Sequence, residues 1–175
     1  MQKELSIILP VYNERESLAI MVRLLISSLK FNHEIIIVHD TLEDNALEEA
    51  NKLKKEFSNI KVIHNTIGRG VRNAVETGVK NSKYELILIT AVDEIFPIIS
   101  IDHMLNQLLE GGFDFISGTR YSKGGSRLGG SLIGSILSKI ANKTFNYFSK
   151  IKLTDCTTGI KMMKKEVWSN INFQS

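Results

Sequence analysis

The sequence predicts a single α/β domain in which a mainly parallel sheet lies between two layers of helices. Short apolar runs alternate with segments whose apolar residues recur at helical spacing, a pattern typical of βα repeats. The run Leu86–Ile89 is apolar at every position, which indicates a strand covered on both faces. Strict alternation of strand and helix implies parallel strands joined by right-handed crossovers.

The first half of the chain contains three pairs of a strand and a helix. The predicted strands are the apolar runs at residues 5–11, 34–38 and 60–64. The predicted helices are residues 14–29, 44–57 and 70–80. Their apolar faces contain Leu18, Met21, Val22, Leu25 and Leu29 in the first helix, Leu47, Ala50, Leu53 and Phe57 in the second, and Val71, Ala74, Val75 and Gly78 in the third.

The second half begins with a central strand that starts at Tyr84. Ser100 is expected to cap the next helix, which ends at Gly111 and Gly112. The apolar face of that helix contains Ile101, Met104, Leu105 and Leu108. Further along the chain we predict a strand at 114–117, a glycine-rich loop at 118–130, a helix at 131–148, a loop at 155–158 and a strand at 160–163.

Length and composition limit the function classes. The chain has 175 residues, which fits one domain. A net charge of +3 is compatible with phosphate-bearing ligands or an anionic membrane surface but is too small to indicate nucleic acid binding. The single cysteine, Cys156, excludes an internal disulfide and is most simply explained by a reducing compartment. No apolar run is long enough to span a membrane. We therefore expect a cytoplasmic protein, with peripheral attachment to the inner face of the membrane as a further possibility.

Acidic residues follow the first, second and fourth predicted strands. They are Glu14, then Asp40 and Asp44, then Asp93 and Glu94. The carboxyl ends of parallel strands meet at one edge, where α/β sheets bind ligands. Converging negative charges favour a site with a compensating cation or hydroxyl donors, such as a divalent metal with a diphosphate, or a ribose. The alternative is that each acid begins a helix by complementing its dipole, and for Glu14 and Asp44 both interpretations stay open.

Glycines at residues 68 and 70 flank Arg69 at the start of the third helix. Backbone N–H groups and one guanidinium could bind a phosphate there. A dinucleotide fingerprint would need a glycine in place of Asn73 and should follow the first strand. Neither condition is met, so the sequence does not indicate a Rossmann oxidoreductase.

Five motifs occur along nearly the whole chain in a fixed order. They are PVYNE at 10–14, the second strand with its acidic turn at 34–44, a glycine and alanine pattern at 68–78, GTRY followed by KGG at 118–125, and DCTTGI at 155–160. Together they resemble the family 2 glycosyltransferases of the GT-A fold. The pattern is most similar to the polyprenyl (dolichol) phosphate mannose or glucose synthases.

The resemblance implies an enzyme that moves a hexose from a UDP- or GDP-sugar to a polyprenyl phosphate or a glycan. It implies that Asp93 and Glu94 bind Mg²⁺ or Mn²⁺ and that Arg120 faces the phosphates or the acceptor. Asp155 is the candidate general base for a hydroxyl acceptor, whereas a lipid phosphate needs no base. The residues implied to contact the nucleotide are Pro10, Tyr12, Glu14, Asp40, Gly70 and Asp93.

Some positions depart from the family pattern. Ala91 replaces the first acid of the Asp-x-Asp motif, Ile95 replaces a residue that often helps to hold the metal, and His39 replaces the first acid of the paired-acid turn. Gly134 replaces a basic residue, for which Arg127 is close enough in sequence to substitute. We therefore expect metal binding to be weak or to depend on nucleotide. A second hypothesis is a catalytically impaired relative that binds nucleotide or a partner protein without turnover. Relatives continue beyond residue 175, so the chain is also expected to be short at its carboxyl terminus.

The predicted helix 131–148 has an apolar stripe beside several lysines. Such a helix can lie at a bilayer surface and receive a lipid acceptor. The stripe is equally typical of a helix packed in a protein core. Both interpretations remain open at the level of sequence.

Overall fold

The structure is a computed structural model that describes residues 2–122, 132–149 and 153–171. The strands are β1 Glu4–Val11, β2 Asn32–His39, β3 Ile60–His64, β4 Leu86–Ile89, β5 Phe115–Ser117 and β6 Lys161–Lys164. The helices are α1 Arg15–Ser28, α2 Ala46–Glu56, α3 Val71–Lys80, α4 Ile101–Glu110, α5 Leu132–Ser149 and α6 Lys165–Ser169, with a 3₁₀ turn at Phe96–Ser100. The predicted mainly parallel α/β fold is confirmed.

The sheet contains six strands in the order β3-β2-β1-β4-β6-β5. β1 is parallel to both of its neighbours, with Ile8 opposite Ile36 of β2 and Ile89 of β4, and β3 is parallel to β2. The loops that follow these four strands therefore lie at the same edge, as predicted. We call this edge, with the loops that follow β1 to β5 and the loop that precedes β6, the rim.

The last strand is the antiparallel member of this mainly parallel sheet. β6 is antiparallel to β4 and β5 and lies between them. The reason is the path of the chain: α5 is hydrogen-bonded to the loop that precedes β6, through Asn142 and Asn146. The chain thus enters β6 from the rim instead of crossing to the opposite edge. An apolar run predicts burial but does not specify strand direction.

Two apolar clusters cover the two faces of the sheet. On β1, Leu5, Ile7 and Leu9 face one cluster and Ile8 faces the other, as the alternation of side chains along a strand requires. α1, α2 and α4 contribute to the first cluster, and α3 and α6 to the second. A Cβ atom on Gly78 would lie 2.5 Å from Ile8 Cγ2, so this glycine allows α3 to pack closely on β1.

The prediction that the Ser100 side chain caps α4 is wrong. Ser100 precedes α4 but has helical backbone angles, φ −95° and ψ −9°, and its side chain makes no capping hydrogen bond. The 3₁₀ turn leads directly into α4, so the serine lies within a continuous helical path. The predicted end of the helix is confirmed, because Gly111 follows its last residue and Gly112 has a φ of 69°.

Candidate active site at the rim

The loops after β1 and β2 are hydrogen-bonded to each other through Asn13 and Asp44. The backbone N–H of Asn13 donates to Asp44 Oδ1 at 3.1 Å, and the N–H of Asn45 donates to Asn13 Oδ1 at 3.3 Å. Asn13 has a φ of 57°, in the left-handed region. Asp44 is buried and also accepts the N–H of Ala46 at 2.8 Å at the start of α2. Asp44 therefore precedes α2 and also fixes the loop after β1. Three predicted nucleotide contacts lie near this loop, half-buried Pro10 at the end of β1 and exposed Tyr12 and half-buried Glu14 in the loop itself.

Asp40 connects the end of β2 to the loop before α3. Its Oδ1 accepts the side-chain amide of Asn65 at 2.7 Å, and its Oδ2 accepts the N–H of Gly70 at 2.7 Å. Asn65 is buried and also bonds the carbonyl of Gly68 at 2.7 Å and the hydroxyl of Thr77 at 3.0 Å. Sequence reasoning missed Asn65, although a single amide directly after a strand is a usable signal. The structure thus joins Asp40 to Gly70 by a hydrogen bond.

His39 occupies the position of the absent acid next to Asp40. It is buried, its Nδ1 lies 2.8 Å from the carbonyl oxygen of Thr41, and its ring stacks on His64 with centroids 5.1 Å apart. The β2 end therefore provides one carboxylate and an imidazole pair instead of two acids.

Asp93 and Glu94 follow β4 in different environments. Asp93 is exposed, whereas Glu94 is half-buried and its Oε1 accepts the N–H of Gly159 at 3.4 Å. A Cβ atom on Gly159 would lie 3.0 Å from Glu94 Oε2, so glycine allows the carboxylate to approach the loop before β6. The other oxygen, Glu94 Oε2, is buried without a hydrogen-bond partner among the described residues.

Asp93 and Glu94 are the two carboxylates at the place where the resemblance predicts a divalent metal. Ala91 and Ile95 have no side-chain oxygen, and the described ranges contain no cluster of three or more His, Cys, Asp or Glu side chains suited to a metal. Mg²⁺ is often bound by one or two carboxylates together with substrate phosphates. The unpartnered Oε2 of Glu94 and the exposed Asp93 fit such a shared site.

Arg120 and Asp155 form an ion pair with two contacts. Arg120 Nε lies 2.7 Å from Asp155 Oδ2, and Arg120 Nη2 lies 3.0 Å from Oδ1. Asp155 is 1% exposed. Burial alone would raise the pKa of Asp155, but hydrogen bonds from Arg120 and Thr157 hold it well below its ordinary value. Asp155 is therefore ionised at neutral pH and is a weak base.

The polar face of α5 points toward the protein. Ser138, Asn142 and Asn146 lie on one helical face. Asn142 Oδ1 accepts the N–H of Cys156 at 2.6 Å, and Asn146 exchanges two hydrogen bonds with the backbone of Leu153, at 2.7 and 3.2 Å. Amide side chains rather than apolar ones therefore attach the helix to the loop before β6.

The opposite face of α5 is apolar and exposed. Ile136, Leu137 and Ile140 are 59%, 60% and 55% exposed, and Tyr147 and Phe148 are more so. The interpretation of α5 as a core helix does not hold for these residues. Of the helices in the described ranges, none combines the length and the apolar character needed to span a membrane.

Lys161 is a further rim residue that sequence reasoning missed. It begins β6, opposite Ile89 and Ser117, and its half-buried ammonium donates to the carbonyl of Thr158. Burial lowers the pKa of Lys161, while the negative charges of Glu94 and Asp155 oppose that shift. Lys161 lies in a strand, so its sequence position gave no indication that it belongs to the rim. Residues 123–130 of the glycine-rich segment, which include Arg127, lie outside the described residues.

Comparisons with known proteins agree with this architecture. The family model described as glycosyl transferase family 2 matches residues 6–171. A dolichol-phosphate mannosyltransferase of Pyrococcus furiosus is 29% identical over 167 residues, covering 94% of this chain and 47% of the relative. A dolichol-phosphate mannosyltransferase of Mycosarcoma maydis is 30% identical over 126 residues, covering 68% of this chain and 42% of that protein. The chain thus spans about half the length of these relatives.

Solved structures show the same fold. Glucosyl-3-phosphoglycerate synthase from Mycobacterium tuberculosis, in complex with Mn²⁺ and UDP-glucose, superposes with a TM-score of 0.75 at 14% identity, covering 96% of this chain and 58% of that one. A mannosyltransferase from Pyrobaculum calidifontis, in complex with GDP-mannose and Mn²⁺, gives 0.63 at 15% identity, covering 96% and 46%. With a family model that spans most of its length, this chain belongs to glycosyl transferase family 2 and has the GT-A fold.

Proposed function

We propose that this protein transfers a hexose from a UDP- or GDP-sugar to a polyprenyl phosphate. The observation that carries the proposal is the rim, where a guanidinium held by a buried carboxylate lies on the same edge as the acidic loops after β1, β2 and β4. The complexes of the structural neighbours with UDP-glucose and GDP-mannose support a nucleotide-sugar donor. The mannosyltransferase relatives support a polyprenyl phosphate acceptor.

In this proposal the nucleotide lies along the loops after β1, β2 and β3. Pro10, Tyr12 and Glu14 line one side of it. Asp40 accepts a hydrogen bond from the base or the ribose, since each carboxylate oxygen has a lone pair beyond those used by Asn65 and Gly70. Gly70 allows the backbone before α3 to approach the ligand closely.

Asp93 and Glu94 are the residues that would hold Mg²⁺ or Mn²⁺. Such an ion, when bound, stabilises the negative charge that develops on the leaving diphosphate. Because Asp93 and Glu94 supply few ligands, we propose that they bind the ion weakly until a diphosphate contributes its own oxygens.

Arg120 provides positive charge for the phosphates of the donor or the acceptor. The state of Asp155 favours a phosphate acceptor over a hydroxyl acceptor. A hydroxyl needs a base to take its proton, and an ionised carboxylate already paired with Arg120 does this poorly. A lipid phosphate is an anion and needs no base, so we propose that Asp155 orients Arg120 and is not the general base.

The exposed apolar face of α5 supports a peripheral position at the inner face of the membrane. Lys139 and Lys143 are exposed on the same helix, and lysines of this kind attract anionic lipid headgroups. In this arrangement α5 lies in the interface and the rim faces the acceptor phosphate.

A catalytically impaired relative is the second candidate. Ala91 and His39 favour it, because both replace acids of the family pattern and neither supplies a carboxylate. Such a protein would bind nucleotide without turnover. A glycan acceptor is compatible with the first proposal only if a base other than Asp155 is present.

A transfer assay distinguishes these candidates. UDP-glucose and GDP-mannose are each incubated with Mn²⁺ and a polyprenyl phosphate in detergent micelles, and the lipid-linked sugar is measured. We expect product with one donor, and loss of product in Arg120→Gln. Calorimetric binding of UDP or GDP with no product from any donor would support the impaired relative instead.

A further inference from the structure

We infer that Asn142 and Asp155 are positioning residues that together fix the Arg120 guanidinium toward an anionic ligand. The inference deepens the proposed function, in which Arg120 faces a phosphate, and assigns to α5 a direct part in ordering that site. In this role Asp155 acts neither as a general base nor as a metal ligand.

The ion pair fixes the orientation of the guanidinium plane. Two parallel contacts, at 2.7 and 3.0 Å, occupy Nε and Nη2 of Arg120, and the backbone N–H of Arg120 also donates to Asp155 Oδ2 at 3.2 Å. Contacts of this two-point kind determine direction as well as distance. The remaining nitrogen, Nη1, makes no hydrogen bond to any residue in the described ranges, and the side chain is 26% exposed. Nη1 is therefore the group that Arg120 can offer to a ligand.

Asn142 in turn fixes Asp155. Its Nδ2 lies 3.3 Å from Asp155 Oδ1 and 2.9 Å from the carbonyl oxygen of Ser138, one turn earlier in α5. Its Oδ1 accepts the N–H of Cys156 at 2.6 Å. Asn142 thus holds both the carboxylate of Asp155 and the backbone that follows it, and it is itself only 5% exposed.

This arrangement reduces the entropy that ligand binding must otherwise overcome. A free arginine loses much rotamer freedom when it binds a phosphate. Arg120 has already lost that freedom in the protein alone, because Asp155, Thr157 and Ser138 hold it directly. One path from α5 to the guanidinium runs through Asn142 and Asp155, and a second runs through Ser138, whose Oγ lies 3.4 Å from Arg120 Nη2.

The test compares Asn142→Ala and Asp155→Asn with Asn146→Ala. Asn146 is a matched control because it lies one turn further along the same face of α5, and both ends of its amide bond the loop, at Leu153. Within the described residues, its hydrogen bonds go to Leu153 and not to Asp155 or Arg120. Loss of Asn146 therefore removes similar bracing of the loop without releasing the ion pair.

Two readouts are measured on each variant. The first is the Arg120 Nε–H signal in ¹⁵N-arginine-labelled protein, with its exchange rate. The second is the affinity for farnesyl phosphate. We expect slow exchange in the wild type and in Asn146→Ala, and fast exchange in the other two variants. We expect affinity for farnesyl phosphate to fall about tenfold or more in Asn142→Ala and Asp155→Asn and to stay within about twofold in Asn146→Ala.

Equal losses in all three variants would mean that Asn142 only braces the loop, and would overturn the inference. Wild-type protein that does not bind farnesyl phosphate would overturn it as well. If Asn142→Ala does not fold, Asp155→Asn, which preserves the side-chain shape, decides the matter together with the control. The wild-type protein could show a protected Nε–H and bind farnesyl phosphate but transfer no sugar. That result would reject the proposed function and leave this inference intact.

Discussion

Asp155 illustrates how surroundings decide what a carboxylate can do. It has the chemistry of a general base, but burial and the hydrogen bonds from Arg120 and Thr157 keep it ionised and paired. Asp93 follows β4 on the same rim. Its side chain is exposed and makes no hydrogen bond to the described residues. The two acids are therefore suited to different roles. Asp155 can orient the Arg120 guanidinium, and Asp93 is accessible to a ligand.

Replacement of Asp40 tests its predicted role in nucleotide binding. We expect Asp40→Ala to weaken UDP or GDP binding by about 1 to 3 kcal/mol, the range for hydrogen bonds that involve a charged group. The structure adds a reason, since the variant also releases the N–H of Gly70 and the amide of Asn65. Calorimetric titration measures the effect. Asp102→Ala, an exposed acid of α4, is the control, and unchanged affinity of Asp40→Ala for every nucleotide diphosphate that the wild type binds would contradict the role.

Replacement of Ala91 tests the metal site. Ala91→Asp adds a carboxylate two residues before Asp93, so we expect tighter Mn²⁺ binding in the presence of UDP or GDP, measured by electron paramagnetic resonance of the free ion. Ala91→Asn is the control for size without charge. In the wild type we expect little Mn²⁺ binding until nucleotide is added, because Asp93 and Glu94 supply few ligands. Tight binding by the nucleotide-free wild type, or no gain in Ala91→Asp over Ala91→Asn, would show that the metal does not bind at Asp93.

The helix α5 is the element whose surface is least explained by packing within the chain. Its amides Asn142 and Asn146 face the loop before β6. Its described apolar side chains that face outward are Ile136, Leu137, Ile140, Tyr147 and Phe148. A helix with this orientation places its hydrophobic side where a bilayer or another apolar surface can cover it.

We expect the protein to float with vesicles of phosphatidylcholine and phosphatidylglycerol. Ile136→Ser combined with Ile140→Ser should reduce the bound fraction by about tenfold or more, since each isoleucine contributes roughly 1.5 to 3 kcal/mol when buried. Ile99→Ser is the control, because Ile99 is 91% exposed but lies outside α5. Equal loss in the control, or no flotation of the wild type, would contradict a membrane role for α5.

The spacing of apolar residues predicted most of the helices and strands, because each of them buries apolar side chains in the core. The runs that became β1 to β4 and the stripes of α1 to α4 follow directly from the apolar pattern. Periodicity could not predict the direction of β6 or the orientation of α5. An antiparallel central strand and a parallel one are apolar in the same way, and an outward apolar stripe has the same spacing as an inward one.

The sequence predicted which loops form the candidate site, but it did not predict the side-chain contacts between them. The acids after β1, β2 and β4 were identifiable because parallel strands deliver their carboxyl ends to one edge. The pairing of Arg120 with Asp155 depends on two loops, far apart in sequence, that the pairing of β5 with β6 brings together. Asn142 and Lys161 were not identifiable as site residues, because one lies within a helix and the other within a strand.

At the scale of the whole molecule, a buried charge joins the strands at the edge opposite the rim. Glu34 of β2 accepts the hydroxyl of Ser6 at 2.6 Å and the N–H of Lys83 at 2.5 Å, and it pairs with Lys61 at 2.8 Å. Burial would raise the pKa of Glu34, but these partners outweigh it and lower the pKa below its ordinary value. Glu34 therefore links β1, β2, β3 and the segment before β4.

The stability of the fold should depend on pH through Glu34. Because the folded pKa is lower than the unfolded one, the contribution of the ionised group is complete above the unfolded pKa and is lost as pH falls through the folded pKa. We expect Glu34→Gln to lower the free energy of unfolding by about 1 to 3 kcal/mol at pH 7, and the difference from wild type to shrink at acidic pH. Urea denaturation at several pH values measures this. Glu56→Gln, at an exposed ion pair with Arg23, is the control, and a difference that is constant with pH would contradict the assignment.

The insertion of β6 between β4 and β5 determines the order in which the protein can assemble. β1 to β4 pair with one another from segments made early, whereas β5 pairs only with β6. The pairing of Leu86 with Lys164 joins residues far apart in the chain, and contacts of that kind form slowly. A chain that folds as it is synthesised from its amino terminus has its acidic loops in place before Arg120 acquires Asp155. The ion pair of Arg120 with Asp155 is thus the last part of the rim to form.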